Sequence, residues 1–321
     1  MTAGTDVLDP RLEREQINPK PVSIWRDTLG QLLRQRSAVV GLILLGVLFL
    51  AAILAPLIAP YPPNDQLYSV GATRLAPPCI HLLGCAADQP QFLMGIDSNG
   101  RDEFSRVLYG AQVSLRVGFL TVGFAIVIGT LIGAVSGYAG GWIDNVLMRI
   151  MDVVLSFPAL ILAITLVTAL QAVDLPLLGD RLIKAQLAIG IVAIPVYARV
   201  MRASVLSIRE REFITASRAL GETGRGILFR RILPNSLTPL IVQGTLGIAG
   251  AILEVAALSF LGLGAEPPGA EWGSMIGADR NSVFSAPHLI LFPGLALALS
   301  VLGFNLLGDG LRDALDPRLN R

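Results

Sequence analysis

Five long stretches of this chain carry no charged side chain, and that restricts the solvent in which it can fold. A helix that crosses a bilayer needs about 20 mostly apolar residues, because each adds roughly 1.5 Å against a hydrocarbon core of about 30 Å. Val39–Ala59 meets this requirement, and Arg116 and Asp144 bracket 27 uncharged residues. Val153–Val173 is uncharged throughout. Arg231 and Glu254 bracket 22 residues, after which apolar character resumes through Gly264, and Arg280 and Asp309 bracket 28 more. Composition agrees: 15% of the residues are charged, where a water-soluble domain has about 25%. A sixth segment is short, with 14 uncharged residues between Lys184 and Arg199. It spans if both cations snorkel toward opposite headgroup layers, and Pro195 is expected to kink or break it.

The distribution of positive charge sets the parity. With six spans and the N-terminus inside, 18 Lys and Arg lie on the inner side and 7 on the outer side. Removing the fourth span would move the eight arginines from Arg199 to Arg231 outside, against the positive-inside rule. The expectation is an all-α polytopic membrane protein of six transmembrane helices with both termini cytoplasmic. Residues 1–36 form the inner tail and 37–60 the first span. Residues 61–111 form an external loop and 112–310 a five-helix core containing the cytoplasmic loop 204–236. Residues 311–321 form the second inner tail. The first 36 residues are polar, so the first apolar run reads as a retained signal-anchor rather than a cleaved signal peptide. Ahead of it, Trp25, Leu29, Leu32 and Leu33 recur at helical spacing with Arg26, Arg34 and Arg36 on other faces. That pattern fits an amphipathic helix in the lipid interface, or a plain polar lead-in.

Several function classes are excluded. A net charge of +1 offers no electrostatic footprint for nucleic acid. Cys79, Cys85, His81 and His288 are too few for a structural zinc or iron–sulfur site, and no catalytic triad can be assembled. The only lysines, Lys20 and Lys184, precede Pro21 and Ala185, so no phosphate-binding Gly-x-x-x-x-Gly-Lys-Ser/Thr loop exists. On the oxidising side of a membrane Cys79 and Cys85 can pair; otherwise they are two free thiols. Gly129, Gly133 and Gly137 recur every four residues as a bare stripe, suited to close packing against this chain's helices or a partner's. Glu254 lies well inside the fifth span. Intramembrane carboxylates are costly and often line a pathway, so it is a candidate for one, or else a hydrogen-bonded support.

The cytoplasmic stretch from Arg199 to Pro234 is the most informative. Ser207 can cap a helix start and Gly221 can stop one. Between them Phe213, Ala216 and Leu220 share a face, with Arg209, Arg211, Glu212 and Arg218 elsewhere. Such a face either docks into a groove on another protein or packs beneath the membrane domain.

This stretch resembles the cytoplasmic Glu-Ala-Ala loop of binding-protein-dependent ABC importer permeases. Thr215-Ala216-Ser217 occupies the triplet, Gly221 stands at the required distance, and Ile232-Leu233-Pro234 closes the pattern. Thr and Ser depart from the family's residues, which leaves Glu212 as a substitute for the missing acid. The resemblance extends over residues 25 to 320. Gly95 to Asp102, with Arg106 and Leu108 to Ala111, is similar to the family's external Gly-Thr-Asp-x-x-Gly-Arg-Asp segment. Gly140 to Asp144, Met151-Asp152 and Phe157-Pro158 fit its second and third spans. Leu258 to Gly264, Pro267-Pro268, Trp272-Gly273, Asn305 to Asp313 and Asp316 to Arg318 continue the match, and an insertion after Gly84 brings Cys85.

The resemblance is to the C-type subunit of dipeptide and oligopeptide importers and implies the MetI-like type I permease fold. It implies a bacterial inner-membrane subunit that is not an enzyme, heterodimeric with a second permease. Its other partners would be two cytoplasmic ATPases, or one fused pair, that bind ATP and Mg²⁺, and an external substrate-binding protein. Phe213, Thr215, Ala216, Ser217, Leu220, Gly221 and Pro234 are the implied ATPase-coupling residues. Related permeases carry nickel complexes or other small solutes. An ATP-independent carrier is the reading from another class, although such carriers place several ionisable groups at mid-membrane, where Glu254 is nearly alone.

Overall fold

The computed structural model describes residues 30–86, 88–173 and 179–315. Among the described residues, nine helices of eight residues or more carry the architecture: α1 (Arg36–Ile58), α2 (Glu103–Ala139), α3 (Gly141–Leu155), α4 (Ala159–Ala172) and α5 (Arg181–Arg209). They continue with α6 (Glu212–Ala219), α7 (Leu237–Phe260), α8 (Trp272–Asp279) and α9 (His288–Ala314). Five of them, α1, α2, α5, α7 and α9, are each long and apolar enough to cross a membrane. The α3–α4 pair makes a sixth if it is counted as one span, bent by 95°.

That bend departs from the uninterrupted segment expected over Val153–Val173. Pro158 removes a backbone donor and biases Phe157 away from helical geometry, so α3 closes at Leu155 and α4 begins at Ala159. The short segment turns out the other way, because α5 runs unbroken through Pro195 for 29 residues. Its flanking cations have protein partners. Lys184 Nζ donates to the Val173 carbonyl at 3.4 Å, and Arg199 pairs with Asp152 at 2.5 Å.

The most extensive helix pairing is α2 with α5, and the bare stripe explains it. A Cβ on Gly129 would lie 2.7 Å from Tyr197 Cβ, and one on Gly137 would lie 3.0 Å from the Arg202 carbonyl. At Gly133 it would run into the Ala198 carbonyl. Small residues let backbones approach this closely, and the stripe therefore faces this chain's own α5 rather than a partner subunit. A second seam joins α1 to α9, where a Cβ on Gly41 would meet the Leu307 nitrogen at 2.8 Å. Leu32 is buried with Ala38 and Ala314 where these helices meet. Most of the expected amphipathic helix, including Trp25 and Leu29, lies outside the described residues.

Beyond the N-terminal end of α2 the connections form a polar collar. Asp97 accepts from the backbone N–H groups of Asn99 and Arg101 at 2.8 Å each, and from Arg101 Nε at 2.6 Å. Arg106 lies 3.5 Å from the same carboxylate and donates to the Pro63 and Pro268 carbonyls at 2.8 and 3.1 Å. This ties three loops together through backbone carbonyls, as buried charges require. Trp272 is fully buried and its indole N–H reaches the Val107 carbonyl at 3.0 Å. Glu271 caps α8 by accepting from the N–H groups of Gly273 and Ser274 at 2.9 and 2.8 Å. Cys79 and Cys85 are joined as a disulfide with their Cα atoms 5.4 Å apart.

Candidate functional site

At the opposite end of the bundle α5 ends at Arg209, and two residues later the chain turns into α6. Ser207 lies inside α5 and caps nothing; Arg211 occupies the N-cap of α6 without a side-chain bond. The expected cap failed because α5 extends past the point where its charged residues begin. Gly221 closes the helix with φ of +81°, the left-handed geometry that favours glycine. Thr223 then caps the next turn, its hydroxyl accepting from the Gly226 N–H at 3.2 Å.

The face of α6 carrying Phe213, Ala216 and Leu220 is turned outward. Phe213 is 40% exposed and Leu220 88% exposed, while Thr215 and Ala216 are exposed and Ser217 half-buried. The residue that anchors α6 is Ile214, fully buried in the main apolar cluster together with Ile227 and Ile232. Packing of the Phe213 face under the membrane domain is thereby replaced by packing of one residue on the opposite side. Past Gly224 the chain widens into a π-helical segment over Ile227–Ile232, Pro234 follows exposed, and Phe229 is a further exposed aromatic. The acid that forms an ion pair here is Glu222, 3.2 Å from Arg231; no ion pair involves Glu212 among the described residues.

Two links tie together the ends of the helices that lead into α6. Arg209 donates to the Gly137 carbonyl at 2.9 Å, tying the end of α5 to the end of α2. Asp144 on α3 receives both Nε and Nη2 of Arg202 at 2.6 Å and also accepts from Ser136. Planar two-point pairing of this kind fixes orientation as well as distance, and it holds the ends of α2, α3 and α5 in register.

A second feature lies within the spans. A cavity of about 210 Å³ opens between α2, α5, α7 and the α3–α4 junction. From α7 it takes Gln243, Gly247, Gly250, Ala251 and Glu254, which recur at one-face helical spacing. Tyr197 enters from α5, Thr121 from α2, and Phe157 and Ala159 from the junction. Glu254 is half-buried and faces this space. Thr121 and Tyr197 are almost completely buried, and the Thr121 hydroxyl has no hydrogen-bond partner. Apart from Glu254 the sequence reading missed these residues, since they come from four separate elements. Among the described residues no group of three or more His, Cys, Asp or Glu is placed to hold a metal ion.

Comparison with known proteins adds to this geometry. Residues 129–321 match the family of binding-protein-dependent transport system inner membrane components, and residues 23–78 match the N-terminal TM domain of oligopeptide transport permease C. The dipeptide transport system permease protein DppC of Alkalihalophilus pseudofirmus is 44% identical over 321 residues, covering 98% of this chain and 99% of that one. The di/tripeptide transport system permease protein DppC of Pseudomonas aeruginosa is 38% identical, covering 97% and 96%. Among solved structures, an inward-facing MetNI methionine ABC transporter superposes with a TM-score of 0.53 at 21% identity, over 65% of this chain and 96% of that chain. That last likeness concerns the fold.

Proposed function

The chain belongs to the family of binding-protein-dependent transport system inner membrane components, and from that premise we propose that it is one of two membrane-spanning subunits of an ATP-driven importer for di- and oligopeptides. Relatives named as dipeptide and di/tripeptide permeases, matched along almost their whole length, support the peptide cargo. The charge distribution supports an orientation with α6 in the cytoplasm and the disulfide-bearing collar outside. A second permease subunit, two ATPase subunits or a fused pair, and an external substrate-binding protein complete the machine. ATP and Mg²⁺ bind on the ATPase partners.

The observation that carries this reading is the outward face of α6. A Phe and a Leu at 40% and 88% exposure, on a helix of eight residues held by one buried isoleucine, present anchors to a groove on another protein. Phe213 and Leu220 fill that groove; covering Leu220 contributes about 2 kcal/mol and covering the exposed part of Phe213 about 1 kcal/mol. Ala216 and Ser217 admit close approach, while Thr215 takes the position of the family's acid. Gly221 reverses the chain so that α6 protrudes, and Pro234 restarts the path toward α7. Closure of the ATPases then pushes α6, and Arg209 and Arg202 pass that push to α2, α3 and α5.

The test is ATP-dependent uptake of dialanine into proteoliposomes holding the whole complex and its binding protein. Phe213→Asp with Leu220→Asp should remove the ATPases on co-purification and reduce uptake to background, while the two permease subunits still purify together. Undiminished uptake by that double variant would sink the coupling role, and uptake by the wild-type chain without ATPases would sink the importer reading.

A further inference from the structure

We propose that the groove along α7 is a subsite for the ammonium end of a peptide in transit, with Glu254 as its counter-ion; this rests on the importer reading above. Glu254 is a carboxylate placed about 9 Å from the end of a spanning helix, counting 1.5 Å per residue to Phe260. An ionised group there is expensive unless something compensates it. No Lys or Arg lines the groove, and none forms an ion pair with Glu254 among the described residues. This chain supplies no compensating charge within the groove, and a cationic ligand would bring one.

Independent features point to a ligand of that kind. Thr121 is 1% exposed, lines the same groove, and its hydroxyl lacks a partner. A buried hydroxyl in that condition costs free energy until something bonds it. An ammonium group brings three donors, of which the Glu254 carboxylate can accept from more than one. Tyr197 and Gln243 add neutral polar groups but no positive charge, so the groove offers the carboxylate end of a peptide no counter-ion. A divalent cation is disfavoured as well, because hard cations require several oxygen ligands and Glu254 is the only carboxylate here.

Shape agrees with chemistry. Gln243 and Glu254 are eleven residues apart on one face of α7, a run of about 16 Å; Gly250 leaves the floor open, and the Tyr197 hydroxyl lies against Gly247. The volume of about 210 Å³ falls below the roughly 300–1,000 Å³ of pockets that enclose a drug-sized molecule. It holds the leading end of a peptide and leaves the remainder to the second permease subunit.

The experiment uses the assembled transporter in nanodiscs without its binding protein. Equilibrium dialysis measures radiolabelled dialanine, competed by unlabelled N-acetyl-dialanine or by methylammonium chloride. Variant integrity is checked by monodispersity and thermal unfolding. The expected result is saturable dialanine binding that N-acetyl-dialanine does not displace, weakened about tenfold in Glu254→Gln and largely restored in Glu254→Asp. No saturable binding, or equal displacement by the acetylated peptide, overturns the proposal. So does displacement by methylammonium as effective as by dialanine, which would mark a site for small cations in general. Should Glu254→Gln fail to assemble, the acetylated competitor on the wild-type complex still decides. A complex that imports dialanine but shows no such binding loses this inference and keeps the importer function; one that imports none loses the function first.

Discussion

Gly221 has no atom within 4 Å of where a Cβ would stand, yet its φ is +81°. The constraint is therefore backbone conformation and not space. Gly221→Val should cost about 1–2 kcal/mol in left-handed strain and tilt α6 away from its docking angle. Uptake should fall sharply while ATP hydrolysis loses its response to the loaded binding protein; normal values of both would show that the turn does not set the angle. At the other end, burial pushes the Glu271 carboxyl up, against the Gly273 and Ser274 N–H groups and the Ser259 and Ser114 hydroxyls that pull it down. Between its ordinary value of 4.5 and the raised one, the folded chain keeps a proton that the unfolded chain has released. Its contribution is thus full below the ordinary value and lost as pH rises through the raised one. Glu271→Gln should flatten that part of the pH dependence, read as the difference in melting temperature from the wild-type complex between about pH 4.5 and 7. An unchanged slope would place the titration elsewhere. Phe213 and Leu220 were legible because helical spacing alone puts them on one face. Ser207 was misjudged because a cap depends on where the preceding helix stops, and that is decided by packing.

At the scale of helices, the α2–α5 seam is set by three glycines whose missing side chains are occupied by backbone. Gly133→Val forces a methyl pair into the Ala198 carbonyl and should destabilise the subunit by about 1–3 kcal/mol. The same change at Gly123, which has nothing within 4 Å, serves as the control. Thermal unfolding of both variants compares them, and equal losses would mean the seam is not closely packed. Spans were legible in uncharged runs, because lipid tolerates few charges whatever the tertiary structure. Their helical limits were not: α2 begins at Glu103, well before the Arg116 that bounded the uncharged run, since a charge marks where lipid stops and not where a helix stops. The 95° break after Leu155 carried a signal in Phe157-Pro158, but Pro195 carries a similar one and α5 passes through it. Neighbouring helices decide which proline breaks.

For the whole molecule, the two ends differ in chemistry: a collar stitched by Asp97, Arg101 and Arg106 at one, an arginine-rich loop at the other. The proposed orientation predicts opposite accessibility. In intact cells with a permeable outer envelope, a membrane-impermeant maleimide should label Phe284→Cys, whose parent residue is 98% exposed, and should reach Arg225→Cys only after lysis. The reverse pattern would invert the topology and end the importer reading. One feature spans both compartments. At 37 residues, α2 is about 55 Å long, well beyond a hydrocarbon core of about 30 Å, and it is pinned to the collar through Arg106 and to the foot of α5 through Gly137. A stiff lever of that length, tilting by about 10°, sweeps one tip roughly 10 Å relative to the other. In the proposed importer, nucleotide strokes on one side of the bilayer become a docking signal on the other, a travel that paired spin labels at the two tips can clock.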